Sequence, residues 1–445
     1  MSSGSREAQS SIMRRMGNAA PPPIARSREL EPPCLPGSRR GFGYNRAMHS
    51  RSIRSTLHVL TLALSLTAPP ALALDNGAAP PAADAATDAM AQAASPEAIA
   101  EYRQRLRDYQ EARAAFDQEA GAYWSQIAEK RRGRNAKRRE HVQITLDDYV
   151  LTQPPVYTGP KRPINPEPQA PSEPGERKYI PVVADLLKAA ADAYQWAPQQ
   201  PASDIEFKRA YARFALSAGL TREQAVRVYA FETGGNGTHA SQSGFHGTSA
   251  ISTAIGYNQL LTTNTVELLA EQGPELIKIL SQKALNLSGP GRKSMEHKIG
   301  VLKKMVSEAR SVPDDWSAHE KIGDTHQGWA MHAMVLDIDV GPMLQTHKLL
   351  TSVLFARMKG YDRPLTAAEL EMMNLTGDGT GFDMVTMPLP MREQVPTSNF
   401  FQRGGYERNP VAIRHNTVAK LLAVTDSRMD ANSREPGARD LASAF

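Results

Sequence analysis

Residues 221–235 read TREQAVRVYAFETGG, which is the clearest helix signal in the chain. Thr221 and Gln224 form a capping box that opens the helix, and Gly234-Gly235 ends it. Residues spaced at i, i+3, i+4 and i+7 share one helix face, and here they are Ala225, Val228, Tyr229 and Glu232. A carboxylic acid is therefore expected on the stripe that faces the protein interior.

The position of Glu232 predicts a raised pKa for its carboxyl group. Burial beside Tyr229 and Phe231 disfavours the charged form, and the helix C-terminus adds the negative end of a dipole. A carboxyl group that keeps its proton near neutral pH can give it to a leaving group, as a general acid does. The alternative is a glutamate that ends the apolar stripe and reaches water.

The segment from Gly234 to Ala254 is rich in Gly, Ser, Thr and Ala, which favours a loop or small hairpin lobe. It ends in Gly256-Tyr257-Asn258-Gln259, after which the chain re-enters helix. Amide side chains suit a sugar-binding cleft, because hydroxyl and N-acetyl groups each need a donor or an acceptor. Two alternatives stay open: Gln259 caps its own helix, and Tyr257 belongs to the core.

These residues resemble the soluble lytic transglycosylase family, which has a goose-type lysozyme-like fold. In that family a catalytic Glu at a helix end is followed by Ser or Thr, an Ala-x-Ser stretch and Gly-Leu-Met-Gln. Here Glu232-Thr233 is similar to the first element, Ser241 lies near the second, and Gly256-Tyr257-Asn258-Gln259 is similar to the third. Residues 242–251 enlarge the lobe relative to the family pattern, and a later Asn-Gly element has a loose counterpart at Asn374.

The resemblance implies an enzyme that cleaves the β-1,4 bond between N-acetylmuramic acid and N-acetylglucosamine in peptidoglycan glycan strands. Glu232 would protonate the glycosidic oxygen and then take the proton of the muramyl C6 hydroxyl, which closes a 1,6-anhydro ring. Substrate contacts are assigned to five residues: Gln259, Asn258, Tyr257, Ser241 and Asn374.

Most glycosidases use two carboxylates, and no second acid lies near Glu232 in sequence. Asp337, Asp339 and Asp378 could still approach it in space. Two alternative functions stay open: a hydrolytic muramidase of the same fold, in which water replaces the C6 hydroxyl, and a non-catalytic peptidoglycan-binding scaffold.

The C-terminal part predicts a mainly α, lysozyme-like catalytic domain over residues 178–425, because helical spacing recurs and strand-like alternation is scarce. Residues 426–445 are expected to be a disordered tail. A proline-rich extended linker at 141–177 precedes the domain. Before it lies a long helix at 96–140, which Ser95-Pro96-Glu97 opens with a cap and a first-turn proline.

The long helix carries a heptad stripe that needs an apolar partner, formed by Ile99, Tyr102, Leu106, Tyr109, Phe116, Ala120, Tyr123 and Ile127. We favour packing on the catalytic domain of the same chain; the alternative is a protein partner or self-association through residues 96–128. The basic end of the helix at 130–139 either contacts anionic lipid head groups or wall polymers, or is a solvated helix end.

A secretory signal peptide is predicted near the start of the chain. Arg51 and Arg54 precede an apolar run at 57–68 and the small-residue site Ala71-Leu72-Ala73. The run is shorter than the roughly 20 apolar residues of a transmembrane helix. Residues 1–73 are therefore expected to be a leader of a periplasmic protein; the alternative is an apolar helix in a disordered leader.

The natural start of the signal is Met48, and residues 74–95 are expected to be a disordered spacer. Residues 1–73 hold ten Lys and Arg against three Asp and Glu, which leaves 42 basic and 44 acidic groups. A near-neutral mature protein gives no support for nucleic-acid binding. Because the one cysteine, Cys34, lies in the leader, neither a disulfide nor a thiol nucleophile is expected.

No metal or other cofactor is expected. The histidines at 319, 326, 332 and 347 lack the HExxH or Cys-His spacing of metal sites. The segment Asp378-Gly379-Thr380-Gly381 lacks the later glycine and bidentate acid of a calcium loop and predicts a tight turn.

Overall fold

The computed structural model describes residues 95–167, 179–246 and 249–445. These ranges are mainly helical with one short hairpin, so the prediction of a mainly α protein is confirmed. Among the described residues, no helix combines the length and apolar character that crossing a membrane requires. The predicted leader at 1–73, and the spacer up to residue 94, lie outside the described residues.

The α-helices follow one another along the chain as α1 (Pro96–Arg139), α2 (Val183–Tyr194), α3 (Asp204–Ala218), α4 (Arg222–Thr233), α5 (Thr262–Leu285), α6 (Gly289–Ala309), α7 (Trp316–Gly323), α8 (His326–His332), α9 (Gly341–Met358), α10 (Ala367–Thr376), α11 (Asp378–Thr386), α12 (Leu389–Arg392), α13 (Arg403–Glu407), α14 (Pro410–Arg414), α15 (Val418–Asn432) and α16 (Pro436–Ala444). Short 3₁₀ turns occupy Leu146–Asp148, Ala333–Leu336 and Thr397–Phe400. Strands β1 (Phe245–His246) and β2 (Ser249–Ala250) pair antiparallel, with Phe245 opposite Ala250.

Helix α4 begins and ends as its sequence predicts. The Thr221 hydroxyl accepts a hydrogen bond from the Gln224 amide at 3.1 Å, and the Gln224 side chain accepts one from the Thr221 amide at 3.0 Å. This reciprocal capping box satisfies two donors that the first turn would otherwise leave unpaired. Gly234 ends the helix with φ of 65°, a left-handed conformation that glycine adopts without strain.

Two apolar cores lie side by side, and helix α9 runs between them. The first core gathers residues of α3, α4, α10, α15 and α16, while the second gathers residues of α2, α5, α6 and α8. Leu344, in the first half of α9, belongs to the second core, and Leu350, in its second half, belongs to the first. Groups near position 348 of α9 therefore lie where the two cores meet.

The long helix α1 packs on its own chain. Tyr123 and Ile127 form an apolar cluster with Val150 of the proline-rich segment, and the Tyr123 hydroxyl lies 2.7 Å from the Ser398 hydroxyl. Farther along, Tyr157 packs edge-on against Phe116 with ring centres 5.4 Å apart. The segment 141–167 thus runs back along α1. The alternative favoured from the sequence was packing of α1 on the domain that follows, and the contact of Tyr123 with Ser398 agrees with it; a protein partner for residues 96–128 stays a prediction.

The basic end of α1 matches neither predicted alternative, because much of it points into the domain. Arg131 donates to the carbonyl oxygens of Asn399 and Phe401, each at 3.0 Å. Arg134 is 0% exposed, and its guanidinium donates to the Asp148 carbonyl oxygen at 2.9 Å and lies over the Tyr149 ring. Arg134 lies 3.5 Å from the Asp383 carboxylate and Arg138 only 2.5 Å from it, so these arginines fasten α1 to the domain.

The disordered tail predicted at 426–445 is not observed. Helix α15 continues to Asn432, and helix α16 follows after Pro436, which occupies its first turn. Ala438 and Leu441, spaced i and i+3, are fully buried, and α16 packs against α3 and α4. Apolar side chains at helical spacing therefore hold this end of the chain on the domain, which a disordered tail would not allow.

Candidate functional site

Glu232 lies in the last turn of α4, half-buried at the edge of the first core. The Asn374 side chain, on α10, donates a hydrogen bond from Nδ2 to Oε1 of Glu232 at 3.1 Å. Helices α4 and α10 pack directly against each other, which brings these positions together across the fold. The structure therefore joins two of the residues that the sequence singled out.

A second carboxylic acid, Glu371, lies beside Glu232. It precedes Asn374 by one helical turn on α10 and is 2% exposed. Glu371 is close enough to Glu232 for each carboxyl group to shift the pKa of the other. The Oε2 atom of Glu371 is buried and has no hydrogen-bond partner among the described residues.

The surroundings of this pair favour the protonated form of both acids. Burial raises the pKa of Glu232 to about 7, although Lys348, Glu371 and Asn374 act in the opposite direction. Burial, followed by repulsion from Glu232, raises the pKa of Glu371 well above its ordinary value. Because the groups interact strongly, they titrate as a pair, and at least one proton stays on the pair at neutral pH.

Lys348 is the cation that faces this pair. It lies on α9 at the boundary between the two cores, and it is half-buried. Its ammonium group forms no hydrogen bond or ion pair with the described residues. Its charge still opposes the burial that raises the pKa values of Glu267 on α5 and Asp378 at the start of α11.

The charge of the Lys348 ammonium group acts on four carboxyl groups, those of Glu232, Glu371, Glu267 and Asp378. Glu232, Glu267 and Asp378 are each half-buried, so their carboxyl groups are enclosed by protein without being sealed from solvent. Asp378 also accepts a hydrogen bond from the Ser352 hydroxyl at 2.5 Å. Such a site can hold a proton near neutral pH and present it to a bound molecule, which is the requirement for general acid catalysis.

Gln259 lies at the base of the lobe that follows Glu232. It adopts a left-handed conformation with φ of 45° and is almost fully buried. Its Nε2 donates to the carbonyl oxygens of Gly256 at 2.7 Å and Ser241 at 3.2 Å, and its Oε1 accepts from the Ser243 hydroxyl. The side-chain amide thus closes the lobe on itself; its predicted contact with substrate stays a prediction.

Asn258 and Tyr257 connect the lobe to the body of the domain. The Asn258 side chain donates to the Gln345 carbonyl oxygen at 2.7 Å and to the Tyr211 hydroxyl at 3.1 Å. Tyr257 is 0% exposed, packs edge-on against Tyr229 and donates its hydroxyl to Asp204 at 3.0 Å. Tyr257 is therefore a core residue, as the sequence alternative held, and Asn258 is buried beside it.

Ser241 forms a tight turn in the lobe, where its hydroxyl accepts a hydrogen bond from the Thr238 amide at 2.7 Å. Gly256 opens the Gly-Tyr-Asn-Gln turn, with φ of 85°. A Cβ atom there would come within 2.0 Å of Nε2 of Gln345, so both the backbone conformation and the space require glycine. The Gly256-Tyr257-Asn258-Gln259 motif, on which the family resemblance depends, therefore packs the lobe against α9.

The three acids that the sequence offered as partners of Glu232 lie in two different places in the structure. Asp337 and Asp339 both bind Lys298, at 2.9 and 2.5 Å, in an ion-pair cluster of the second core. Asp378 lies near enough to Lys348 for the lysine charge to lower its pKa, against the effect of burial. Glu371 was not identified from the sequence, although one signal was present: it interrupts the apolar run Leu370 to Met373.

Among the described residues, no group of His, Cys, Asp and Glu is arranged to hold a metal ion. His332 bonds the Thr265 hydroxyl at 2.8 Å and faces the Thr253 carbonyl oxygen at 2.9 Å. Burial lowers the pKa of His332 to about 4, so this imidazole is a neutral core group.

The chain matches no protein-family model, and no curated protein or solved structure proved similar to it. The function is therefore inferred from the chemistry of Glu232 and the charged groups around it.

Proposed function

We propose that this protein is a peptidoglycan lytic transglycosylase whose lysozyme-like catalytic domain, of the goose type, uses Glu232 as its acid. The observation that supports the proposal is the Glu232 carboxyl group at the end of α4. Its pKa is raised by burial, it accepts a hydrogen bond from Asn374, and a small lobe follows it directly in the chain. This order of helix end, acid and lobe is what the resemblance to soluble lytic transglycosylases implies. The proposed place of action is the periplasm, to which the predicted signal peptide would direct it.

In the first step Glu232 gives its proton to the oxygen that links C1 of N-acetylmuramic acid to N-acetylglucosamine. The bond from C1 to that oxygen breaks, and N-acetylglucosamine leaves as an alcohol. Asn374 holds one oxygen of the Glu232 carboxyl group in place during this transfer. Positive charge develops on the muramyl ring as the bond breaks, and the negative charge left on the acid pair stabilises it.

In the second step the ionised Glu232 takes the proton of the muramyl C6 hydroxyl. The C6 oxygen attacks C1 and closes the 1,6-anhydro ring, and Glu232 is protonated again for the next cycle. No external nucleophile or cofactor is consumed, since the substrate supplies both the leaving group and the attacking group.

A hydrolytic muramidase is the second candidate, and the further acids near Lys348 favour it. Glu267 and Asp378 are half-buried near Lys348, and either could activate a water molecule as the second carboxylate of a glycosidase. Mass spectrometry of digested cell wall separates the two reactions, because an anhydro end is lighter by one water than a reducing end.

The test is digestion of purified peptidoglycan by the wild-type protein and by Glu232→Gln, which keeps the shape and removes the acid. Glu223→Gln is the matched control, since Glu223 lies on the exposed face of the same helix and pairs with Arg227. We expect anhydro products from the wild type and the control, and none from Glu232→Gln. If Glu232→Gln releases muropeptides at the wild-type rate, the proposal fails and the scaffold alternative replaces it.

A further inference from the structure

We propose that Asn432, the last residue of α15, is a positioning residue for Glu232. Together with Glu435 and Gly437 at the start of α16 it forms what we call the C-terminal clamp, which fixes the end of α4. The inference rests on the proposed function, to which it adds the part of the chain that orients the acid. The end of the chain would therefore control the reaction without contacting the substrate.

The clamp holds the last turn of α4 through Asn432. Its Nδ2 donates a hydrogen bond to the Ala230 carbonyl oxygen at 3.0 Å. Ala230 precedes Glu232 by two residues in the same turn. The last turn is the part of a helix that frays most easily, and here a side chain from another helix bonds to it. The backbone that carries the acid is thus attached to α15.

The clamp also holds the chain that follows Glu232. The Asn236 side chain accepts a hydrogen bond from the Gly437 amide at 3.0 Å and donates one to the Glu435 carboxylate at 2.9 Å. Together with the bond to Ala230, these contacts attach the chain on both sides of the acid. Glu232 therefore lies between two fixed points of the backbone.

The clamp and the turn after α4 touch so closely that no side chain fits between them. A Cβ atom on Gly235 would lie 2.2 Å from the Asn432 carbonyl oxygen. A Cβ atom on Gly437 would lie 2.7 Å from the Gly235 carbonyl oxygen and 2.8 Å from the Tyr229 hydroxyl. Real Cβ atoms essentially never approach other atoms this closely, so the space requires glycine at both positions. This fit fixes the distance between the clamp and α4.

The end of α4 needs this support because its own sequence supplies little of it. Gly234 and Gly235 follow the helix with φ of 65° and 81°, and glycine has the greatest backbone freedom of all residues. The hydrogen bond from Asn374 to Glu232, at 3.1 Å, depends on the position of this last turn. If the turn frayed, the Glu232 carboxyl group would move away from Asn374.

The apolar contacts of α16 come from other residues, so stability and positioning can be separated. Ala438 and Leu441 are fully buried and belong to the first core. Asn432 and Glu435 are half-buried polar residues that bond the segment around Glu232. A purely structural role for Asn432 would lower the free energy of unfolding without changing the surroundings of Glu232.

The test compares the full-length wild-type protein with Asn432→Ala and with Asn409→Ala as the matched control. The Asn409 side chain also bonds the backbone, accepting from the Ala412 amide at 2.9 Å, but it lies at the start of α14, which packs on α13 and the 3₁₀ turn Thr397–Phe400. The first measurement needs no substrate: ¹H–¹⁵N NMR records the Asn374 side-chain amide, which is assigned by its loss in Asn374→Ala. The second measurement is steady-state kinetics on purified peptidoglycan.

We expect Asn432→Ala to shift the Asn374 amide signal and to speed its hydrogen exchange with water, because Glu232 no longer stays within hydrogen-bond distance. The value of kcat should fall about 10-fold while KM changes little, since a displaced acid weakens the transition state and not binding. In Asn409→Ala the signal and kcat should match the wild type. An Asn374 signal that stays in place in Asn432→Ala overturns the inference, whatever happens to kcat.

A second variant, Gly437→Ala, covers an Asn432→Ala protein that does not fold. Its added Cβ atom would push the start of α16 away from Gly235. The control is Gly300→Ala on α6, because nothing lies within 4 Å of a Cβ atom there. The Asn374 amide signal should move in Gly437→Ala and stay in place in Gly300→Ala; a signal that stays in place in both disproves the clamp.

The proposed function fails separately from this inference. If Glu232→Gln still cleaves glycan, Glu232 is not the acid, and the NMR measurement still decides whether the clamp orients its side chain. If Glu232→Gln abolishes cleavage while Asn432→Ala moves the Asn374 signal and leaves kcat unchanged, the function stands and the positioning role is wrong.

Discussion

Lys348→Met removes a positive charge that acts on both Glu232 and Glu371 while keeping a long, unbranched side chain on α9. The lysine charge favours the ionised form of Glu232 and so lowers its pKa, in opposition to burial. Without that charge the pKa of Glu232 should rise above its value of about 7. A proposed enzyme that needs protonated Glu232 should then stay active to higher pH.

The size of the effect follows from the position of the ammonium group. Lys348 and Glu232 are both half-buried, and they form no direct ion pair, so the lysine charge acts on the carboxyl group over a longer distance. A unit charge at 4 Å and an effective dielectric of about 20 is worth about 4 kcal/mol, which sets the upper limit. The larger separation and the partial exposure reduce this to about 1 to 3 kcal/mol, which corresponds to about one to two pH units.

The assay is the pH dependence of kcat on purified peptidoglycan, read at the midpoint of the alkaline limb. Arg357→Met is the matched control, because it removes the same charge from an exposed position on the same helix. Its midpoint should not move, since solvent screens that charge. An alkaline limb of Lys348→Met that stays in place, or moves to lower pH, refutes the electrostatic reasoning.

Asn374→Ala removes the hydrogen bond to Oε1 of Glu232, and we expect kcat to fall by about 10- to 100-fold with KM nearly unchanged, measured by steady-state kinetics. The free energy of unfolding should fall as pH rises from 5 to 7.5, by up to about 3 kcal/mol, because the folded acid pair keeps protons that the unfolded chain releases. Urea titrations check this, and Glu232→Gln should show a shallower fall; an equal fall in both proteins contradicts the linkage. Gly256→Ala should lower stability by about 1 to 3 kcal/mol through its clash with Gln345, and Gly360→Ala, which has φ of 77° but open space around its Cβ, measures the backbone strain alone. Thermal unfolding midpoints that fall equally in the two glycine variants would show that the clash contributes nothing.

The ends of individual helices could be predicted from local sequence signals. The capping box at Thr221 and the glycines after Thr233 fixed the ends of α4, and Ser95-Pro96 fixed the start of α1. These features depend on hydrogen bonds within a few residues, so they can be read without knowledge of the fold. The placement of Glu232 on the inner face of α4 followed from the same helical spacing.

The partners of Glu232 could not be predicted in this way. Glu371 and Lys348 lie more than a hundred residues away along the chain, and they reach Glu232 only because α9 and α10 pack near α4. Helical spacing shows which face of a helix is buried, but it does not show which helix covers that face. For the same reason the arginines at the end of α1 were taken as surface groups, although Arg134 is the most deeply buried charge of that helix.

Helix α9 touches both cores and carries Lys348 at the point where they meet. A methylene group added or removed in either core would tilt or shift this helix, and the Lys348 ammonium group would move with it. The acidity of Glu232 would then change in response to a substitution many residues distant. Random variants selected for a shifted pH optimum should accordingly map to core residues packed against α9 as well as to the neighbours of Glu232.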